Sequence, residues 1–429
     1  MNKLYSIFEV SNGVTTDSRN CPEGSIFFAL QGDSFNGNAY AAQALEKGCS
    51  YAVIDDKNYF VPNDRYVLVD DVLKTLQQLA NHHRKTLKTK IIGITGTNGK
   101  TTTKELIAAV LQKSFNVLYT LGNLNNHIGV PLTLLRLTPE HDIAVIEMGA
   151  NHQGEIKELS EIAEPDYGII TNVGKAHLEG FGSFEGVIKT KSELYDYLRG
   201  KANSIVFVNK DNEYLMQMAK GLNSMFYGTE DDLDINGKIT GNSPYLEFEW
   251  KVGKDGEKQH VNTLLIGDYN FTNALAAVAI GHYFNIDTSL INKALNEYQP
   301  QNNRSQLKKT AFNTLIIDAY NANPTSMKAS VENFSKMDAP HKMVVLGDMK
   351  ELGNDSLAEH RKILELVDKA GFERVVLIGE YFKAVNSKYE FYDHVNNFIA
   401  EVKKDTPKGM TILIKGSNSV RLSMVVEYL

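Results

Sequence analysis

From Ile91 onward, short apolar, β-branched runs alternate with stretches of helical spacing. IIGIT is followed by TTTKELIAAVLQ, IAVIEM by GEIKELSEIA, and YGIITNV by a helical pattern near 185–198, before SIVFVN. Runs that are apolar on both faces suit fully covered strands, and this alternation predicts parallel strands joined by crossover helices. Residues 1–86 are organised differently, with the strand-like runs SIFFAL, YAVID and YVLVD and a helical pattern from about 71 to 85. The polar, basic segment HHRKTLKTK reads as a linker. In 229–266, YLEFEWKV alternates apolar and polar residues and GKDG marks a turn, which predicts a small antiparallel insert. FTNALAAVAIGHYF reads as a buried helix. A second alternating series, TLIIDAY, MVVLGDM, RVVLIG and TILIKG, starts after about residue 305. The expected fold is α/β in three domains: a mixed α/β lobe at 1–86, a phosphate-loop-type parallel sheet with its antiparallel insert at 87–304, and a Rossmann-like lobe at 305–429.

Composition narrows the function classes. A chain of 429 residues exceeds one hydrophobic core. Its 45 basic and 52 acidic residues give a net charge of −7, and the basic residues are scattered. No broad positive field exists for nucleic acid, so no nucleic-acid partner is expected. Cys21 and Cys49 have neither metal nor redox spacing and are expected as buried free thiols. No apolar run approaches the roughly 20 residues of a membrane helix, and the first residues lack a signal-peptide pattern. The expectations are a cytoplasmic protein, no membrane partner and a monomer.

GITGTNGKTTTKE, residues 93–105, lies between a predicted strand and a predicted helix. The common phosphate-loop spacing G-x-x-x-x-G-K-[ST] would require glycine where Ile94 stands. The chemistry is nevertheless that of a phosphate loop. Gly96 and Gly99 admit an anion close to the backbone, and the helix start directs N–H groups at it. Lys100 can reach the outer phosphates, and the Thr101 hydroxyl can ligate Mg²⁺. An ordinary glycine-rich turn with a surface lysine is the other reading. Further along, Glu147 ends a strand-like run, as a cation-binding carboxylate would. On the predicted helix near 185–198, Val187, Lys191, Leu194 and Leu198 share one stripe, while Lys189 faces away. A lysine on an apolar stripe is desolvated, which favours its neutral amine. No convincing Ser/His/Asp or Cys/His set accompanies these residues.

TGTNGKTT resembles the loop of the Mur ligases and folylpolyglutamate synthetases. LGNLNNHIGVPLTLLRL (121–137), EMGANHQGEI (147–156), ITNVGKAHLEGFGS (170–183), DAYNANPTS (318–326), LGDMKELG (346–353) and IKGSNSVR (414–421) are similar to the dipeptide-adding branch of the Mur ligase family. TDSRNCPEGSIFFALQGDSFNGNAY (16–40) is similar to its UDP-binding lobe. Two positions depart from the family pattern: Asn38, where histidine is usual, and Asn303, where glycine usually precedes Arg304.

The resemblance implies an ATP-dependent ligase that joins UDP-N-acetylmuramoyl-tripeptide to D-alanyl-D-alanine through an acyl phosphate. It implies a nucleotide site of Gly96, Thr97, Asn98, Gly99, Lys100, Thr101 and Thr102, with Asn270 and Asn273 toward adenine, Asp318 toward ribose and Arg304 on phosphate. It implies two Mg²⁺ ions, held through Thr101 and Glu147 and through His177 and Lys191, the latter as a CO₂-derived carbamate. Ser18 and Arg19 would meet the uridine diphosphate, and Asn123, Asn125 and Asn126 the amino sugar. Asn321, Asn323 and Lys415, with Arg421, would face the dipeptide. His360 is expected to be structural or on the surface. Two rivals stay open: a lysine- or diaminopimelate-adding ligase of the same family, and a nucleotide-gated switch that hydrolyses ATP without an acceptor.

Overall fold

The computed structural model describes residues 1–300 and 304–429. Asn303, one of the two departures noted above, lies outside the described residues.

The first lobe is a four-stranded parallel sheet ordered Val14–Thr15, Ile26–Phe28, Tyr51–Ile54, Tyr66–Leu68, with a two-stranded hairpin beside it. Asn38 is buried here. Its Nδ2 donates to Asp55 and its Oδ1 accepts from the Asp55 and Asp56 amides, so it locks the hairpin to the sheet. Cys49 is buried and Cys21 only partly so; both are free thiols.

The expected linker is overturned. HHRKT is the last turn of the helix Val72–Thr86, which starts at an Asp71 cap. His83 and Arg84 are buried. Arg84 donates to the Ala163 and Glu164 carbonyls and to Asp166 at 3.0 Å, tying the first lobe to the second. The segment looked like a linker because its charges are satisfied by partners some 80 residues away. One apolar core accordingly runs from Leu4 and Phe8 through Leu76 and Leu79 to Leu134 and Ile156.

The second lobe is a nine-stranded sheet. Lys90–Thr95 lies between Ile143–Glu147 and Tyr167–Ile170, both parallel to it. All three strands end at the same edge, since Ile94 pairs with Glu147 and Thr95 with Ile170. The expected antiparallel insert, Ile235–Gly241, Glu247–Val252 and Gln259–Asn262, extends this same sheet. Phe271–Tyr283, buried along nearly its whole length, packs against the phosphate-loop helix Lys100–Leu111. In the third lobe, Thr314–Asp318, Thr411–Lys415, Lys342–Gly347, Arg374–Ile378 and Glu390–Tyr392 are parallel neighbours, with Gln306–Lys309 antiparallel at one edge. The open parallel sheets present their carboxyl ends to one cleft between lobes, where ligands of such folds bind.

Candidate active site

Gly96 has φ +143° and Gly99 φ +77°, conformations that side-chain-bearing residues avoid. Space is also closed to them. A Cβ on Gly96 would sit 2.0 Å from Thr171 Oγ1, and one on Gly99 2.6 Å from Asn273 Oδ1. The loop is held open from behind by Thr171–Gly174. Thr171 Oγ1 and Asn172 Nδ2 donate to the Asn98 carbonyl at 2.6 and 3.0 Å, and the Asn98 amide donates back to Asn172 Oδ1. Thr97 and Gly174 exchange two further bonds. Thr171 and Asn172, which brace the loop, were not among the residues singled out in the sequence. Their signal was their place immediately after the strand neighbouring the loop.

Lys100 Nζ donates to the Gly96 and Thr97 carbonyls at 2.8 and 3.2 Å, so the ammonium spans the loop. Burial, opposed by Glu147 and aided by Arg304, pushes this lysine below its ordinary range. Glu147 is 1% exposed. Its Oε1 accepts from Thr101 Oγ1 at 3.2 Å and Asn125 Nδ2 at 2.9 Å, while Oε2 has no hydrogen-bond partner among the described residues. A buried carboxylate oxygen left without a donor is costly, unless a ligand completes it. Beside the Thr101 hydroxyl, such an oxygen suits a hard divalent cation. No cluster of three or more His, Cys, Asp or Glu poised around a metal occurs among the described residues.

Lys191 lies on the buried stripe of Phe184–Arg199 with Val187, Leu194 and Leu198, while Lys189 is exposed, as the periodicity predicts. Its Nζ stands 5.3 Å over the Phe181 ring. Burial first, and then the charge of Lys100, push it down to about 7. His177 Nδ1 lies 2.5 Å from Glu351 Oε2 of the third lobe. That contact holds the Glu351 carboxyl below its usual range.

The cleft holds about 630 Å³ and gathers residues from distant parts of the chain. Thr97–Thr102, Asn123, Asn125, Asn126, Glu147 and His177 line it. Asn270 and Asn273 of the second lobe and Arg304, Asp318, Asn321, Asn323 and Lys415 also line it. Asn273 Nδ2 donates to Asn270 Oδ1 at 2.9 Å, and Thr103 Oγ1 to Asn273 Oδ1 at 3.0 Å, so the amide pair is anchored to the loop helix. The Arg304 guanidinium stacks 3.7 Å above the Tyr320 ring. Lys415 Nζ donates to Asp318 Oδ2 at 2.6 Å, so these two expected contacts form one charge pair. Ser18, Arg19 and Arg421 do not line this cleft. Arg19 is exposed and forks onto Asp17 at 2.8 and 2.9 Å, and Ser18 offers its carbonyl to Lys47. His360 is fully buried, accepting from the Met349 amide and donating to the Ser356 carbonyl, and is structural.

A phosphate loop at a parallel-sheet edge, roofed by a second α/β lobe that reaches the same cleft, defines a nucleotide-dependent enzyme of three lobes. Family descriptions match across the chain: "Mur ligase family, catalytic domain" at 11–84, "Mur ligase middle domain" at 94–281 and "Mur ligase, glutamate ligase domain" at 303–418. The chain is 36% identical to the UDP-N-acetylmuramoyl-tripeptide–D-alanyl-D-alanine ligase of Bacillus subtilis, over 97% of this chain and 93% of that one. It superposes on the MurF crystal structure from Acinetobacter baumannii with a TM-score of 0.86 at 31% identity, covering 96% of this chain and 92% of that one. A Thermotoga maritima MurF ligase in complex with ADP gives 0.87 at 27% identity, covering 98% and 97%. The chain belongs to the Mur ligase family.

Proposed function

We infer that the protein is an ATP-dependent ligase that joins the terminal carboxylate of UDP-N-acetylmuramoyl-tripeptide to the amine of D-alanyl-D-alanine. The carboxylate takes the γ-phosphoryl group of ATP, releasing ADP. The amine then attacks the acyl phosphate, the C–O bond to phosphate breaks, and an amide, phosphate and a proton result. The observation that carries this reading is the cleft itself. It joins a phosphate loop, a buried carboxylate oxygen without a hydrogen-bond donor and polar residues of the third lobe. The name of the 36% identical relative supplies the particular acceptor. Catalysis of this kind rests on positioning and on offsetting negative charge.

In this reading Lys100 and the loop amides hold the β- and γ-phosphates, and Asn270, Asn273 and Asp318 hold the nucleoside. Thr101 and Glu147 hold a Mg²⁺ ion, which when bound offsets charge on the transferring phosphoryl group. His177 and Lys191 flank a second ion, with Lys191 as a carbamate. A lysine pushed down to about 7 carries a large neutral fraction near neutral pH, the form that adds CO₂. Arg304 supports the phosphates. Asn123, Asn125 and Asn126 face the amino sugar, and Ser18 and Arg19 face its uracil or diphosphate from lobe 1–86. Asn321, Asn323 and Lys415 face the dipeptide from lobe 305–429. The protein acts as a monomer in the cytoplasm. No helix among the described residues is long and apolar enough to cross a membrane. Phosphate release with the tripeptide substrate, with and without D-alanyl-D-alanine, tests the reading. Amide product that needs the dipeptide supports it, and ATP turnover that ignores the dipeptide refutes it.

A further inference from the structure

Lys104 is fully buried on the phosphate-loop helix, one turn beyond Lys100. Its Nζ finds no hydrogen-bond partner among the described residues. The ammonium stands 3.5 Å from Glu147 Oε2, the oxygen that also lacks a partner. Glu105 Oε1 lies 3.9 Å from the same Nζ, and the Tyr119 ring is 5.8 Å away. Glu105 is itself fixed, since Tyr298 donates to its Oε2 at 2.6 Å. One buried ammonium thus lies within ion-pair distance of two carboxylates and hydrogen-bonds to neither.

A buried charge is tolerated where an opposite charge faces it. When no cation is bound, Thr101 and Asn125 serve only Glu147 Oε1, and Lys104 is the ammonium within 4 Å of Oε2 among the described residues, with Lys100 acting on the carboxylate by charge from farther off. We propose that Lys104 is a positioning residue that stands in for the divalent cation at Glu147 until nucleotide brings one. The ammonium faces the Glu147 carboxylate in place of a cation, and it repels free divalent ions. When a cation arrives with phosphates to offset its charge, Lys104 shifts its pairing to Glu105, already 3.9 Å away. The cation then enters as part of the nucleotide complex. This rests on the reading that Glu147 is a cation ligand.

The test is Mn²⁺ binding followed by electron paramagnetic resonance on the whole protein, with and without ADP. Lys104→Met removes the charge and keeps the bulk. It is expected to tighten Mn²⁺ binding without nucleotide by about tenfold or more. A purely structural lysine would lower thermal stability and leave Mn²⁺ affinity unchanged, and that result overturns the proposal. Glu105→Gln, at a partly exposed position, covers the case in which Lys104→Met does not fold. It removes the alternative partner and keeps an acceptor for Tyr298, so Mn²⁺ binding with ADP should weaken severalfold; an unchanged or tighter affinity overturns the proposal. Glu147→Gln is the reference. If it leaves nucleotide-linked Mn²⁺ binding intact, the assignment of Glu147 itself has failed. If it abolishes that binding while both other variants match the parent, only the role of Lys104 has failed.

Discussion

Asn323 Nδ2 of the third lobe donates to Asn98 Oδ1 of the phosphate loop at 2.8 Å, across 225 positions of sequence. The same Asn323 caps the helix Pro324–Lys336, its Oδ1 accepting from the Ser326 amide while Ser326 Oγ accepts from the Asn323 amide. The start of that helix is therefore bolted to the loop that would hold phosphate. Lys175 reaches Glu359 at 3.2 Å and His177 reaches Glu351, so the roof contacts the loop's supporting segment as well.

The two jobs of Asn323 are separable. Asn323→Asp keeps the cap, because aspartate caps as well as asparagine, but it puts an acceptor and a negative charge beside the loop. Its unfolding free energy should stay within about 0.5 kcal/mol of the parent while ATP affinity falls about tenfold. Asn323→Ala should lose about 1 kcal/mol of stability as well. Denaturant melts and ATP titration on both variants check this.

Gly96→Ala should block the nucleotide site. The added methyl would meet Thr171 Oγ1 at 2.0 Å in a backbone conformation that alanine avoids. A cost of about 1–3 kcal/mol is expected together with loss of ATP binding. Thermal melts with and without ATP read both: the variant should melt lower and gain nothing from ATP.

Lys191→Ala should lose activity by on the order of 100-fold or more, since a group that orients a metal site is removed. Short carboxylic acids should restore part of it by supplying the missing anion. In the parent, activity should fall as pH drops through about 7, where the amine takes a proton and stops adding CO₂. Buffer stripped of CO₂ should lower activity across the whole range. Full activity in Lys191→Ala, or no response to carboxylic acids, contradicts the carbamate.

Acid should destabilise the fold through two buried histidines. Burial lowers both His83 and His360 below their ordinary value. Their folded pKa lies below that of the unfolded chain, about 6.5, so the unfolded chain takes up protons first and stability is lost as pH falls below that value. His360→Gln, which retains a donor and an acceptor, should flatten the loss between pH 7 and 5 in urea melts at each pH.

Features carried by local periodicity were legible in the sequence. The strand ending at Glu147, the helix that buries Lys191 and exposes Lys189, and the glycines at 96 and 99 each follow from neighbours within a few residues. What was not legible depends on distant partners. His83 and Arg84 looked like linker residues because Leu137, Ala163 and Asp166, which satisfy them, lie far along the chain. Lys104 was not singled out in the sequence, and only the fold brings Glu147 to face it. Asn98 and Asn323 each fit a local turn, and their contact exists only once the third lobe closes over the loop.

The most direct measurement is the rate of ATP-derived phosphate release with UDP-N-acetylmuramoyl-tripeptide, with and without D-alanyl-D-alanine, alongside mass analysis of the product. The expected result is release that requires both substrates, and a product heavier than the tripeptide substrate by the dipeptide less one water. Phosphate release at the same rate without D-alanyl-D-alanine, or a product carrying a single amino acid in place of the dipeptide, would contradict it.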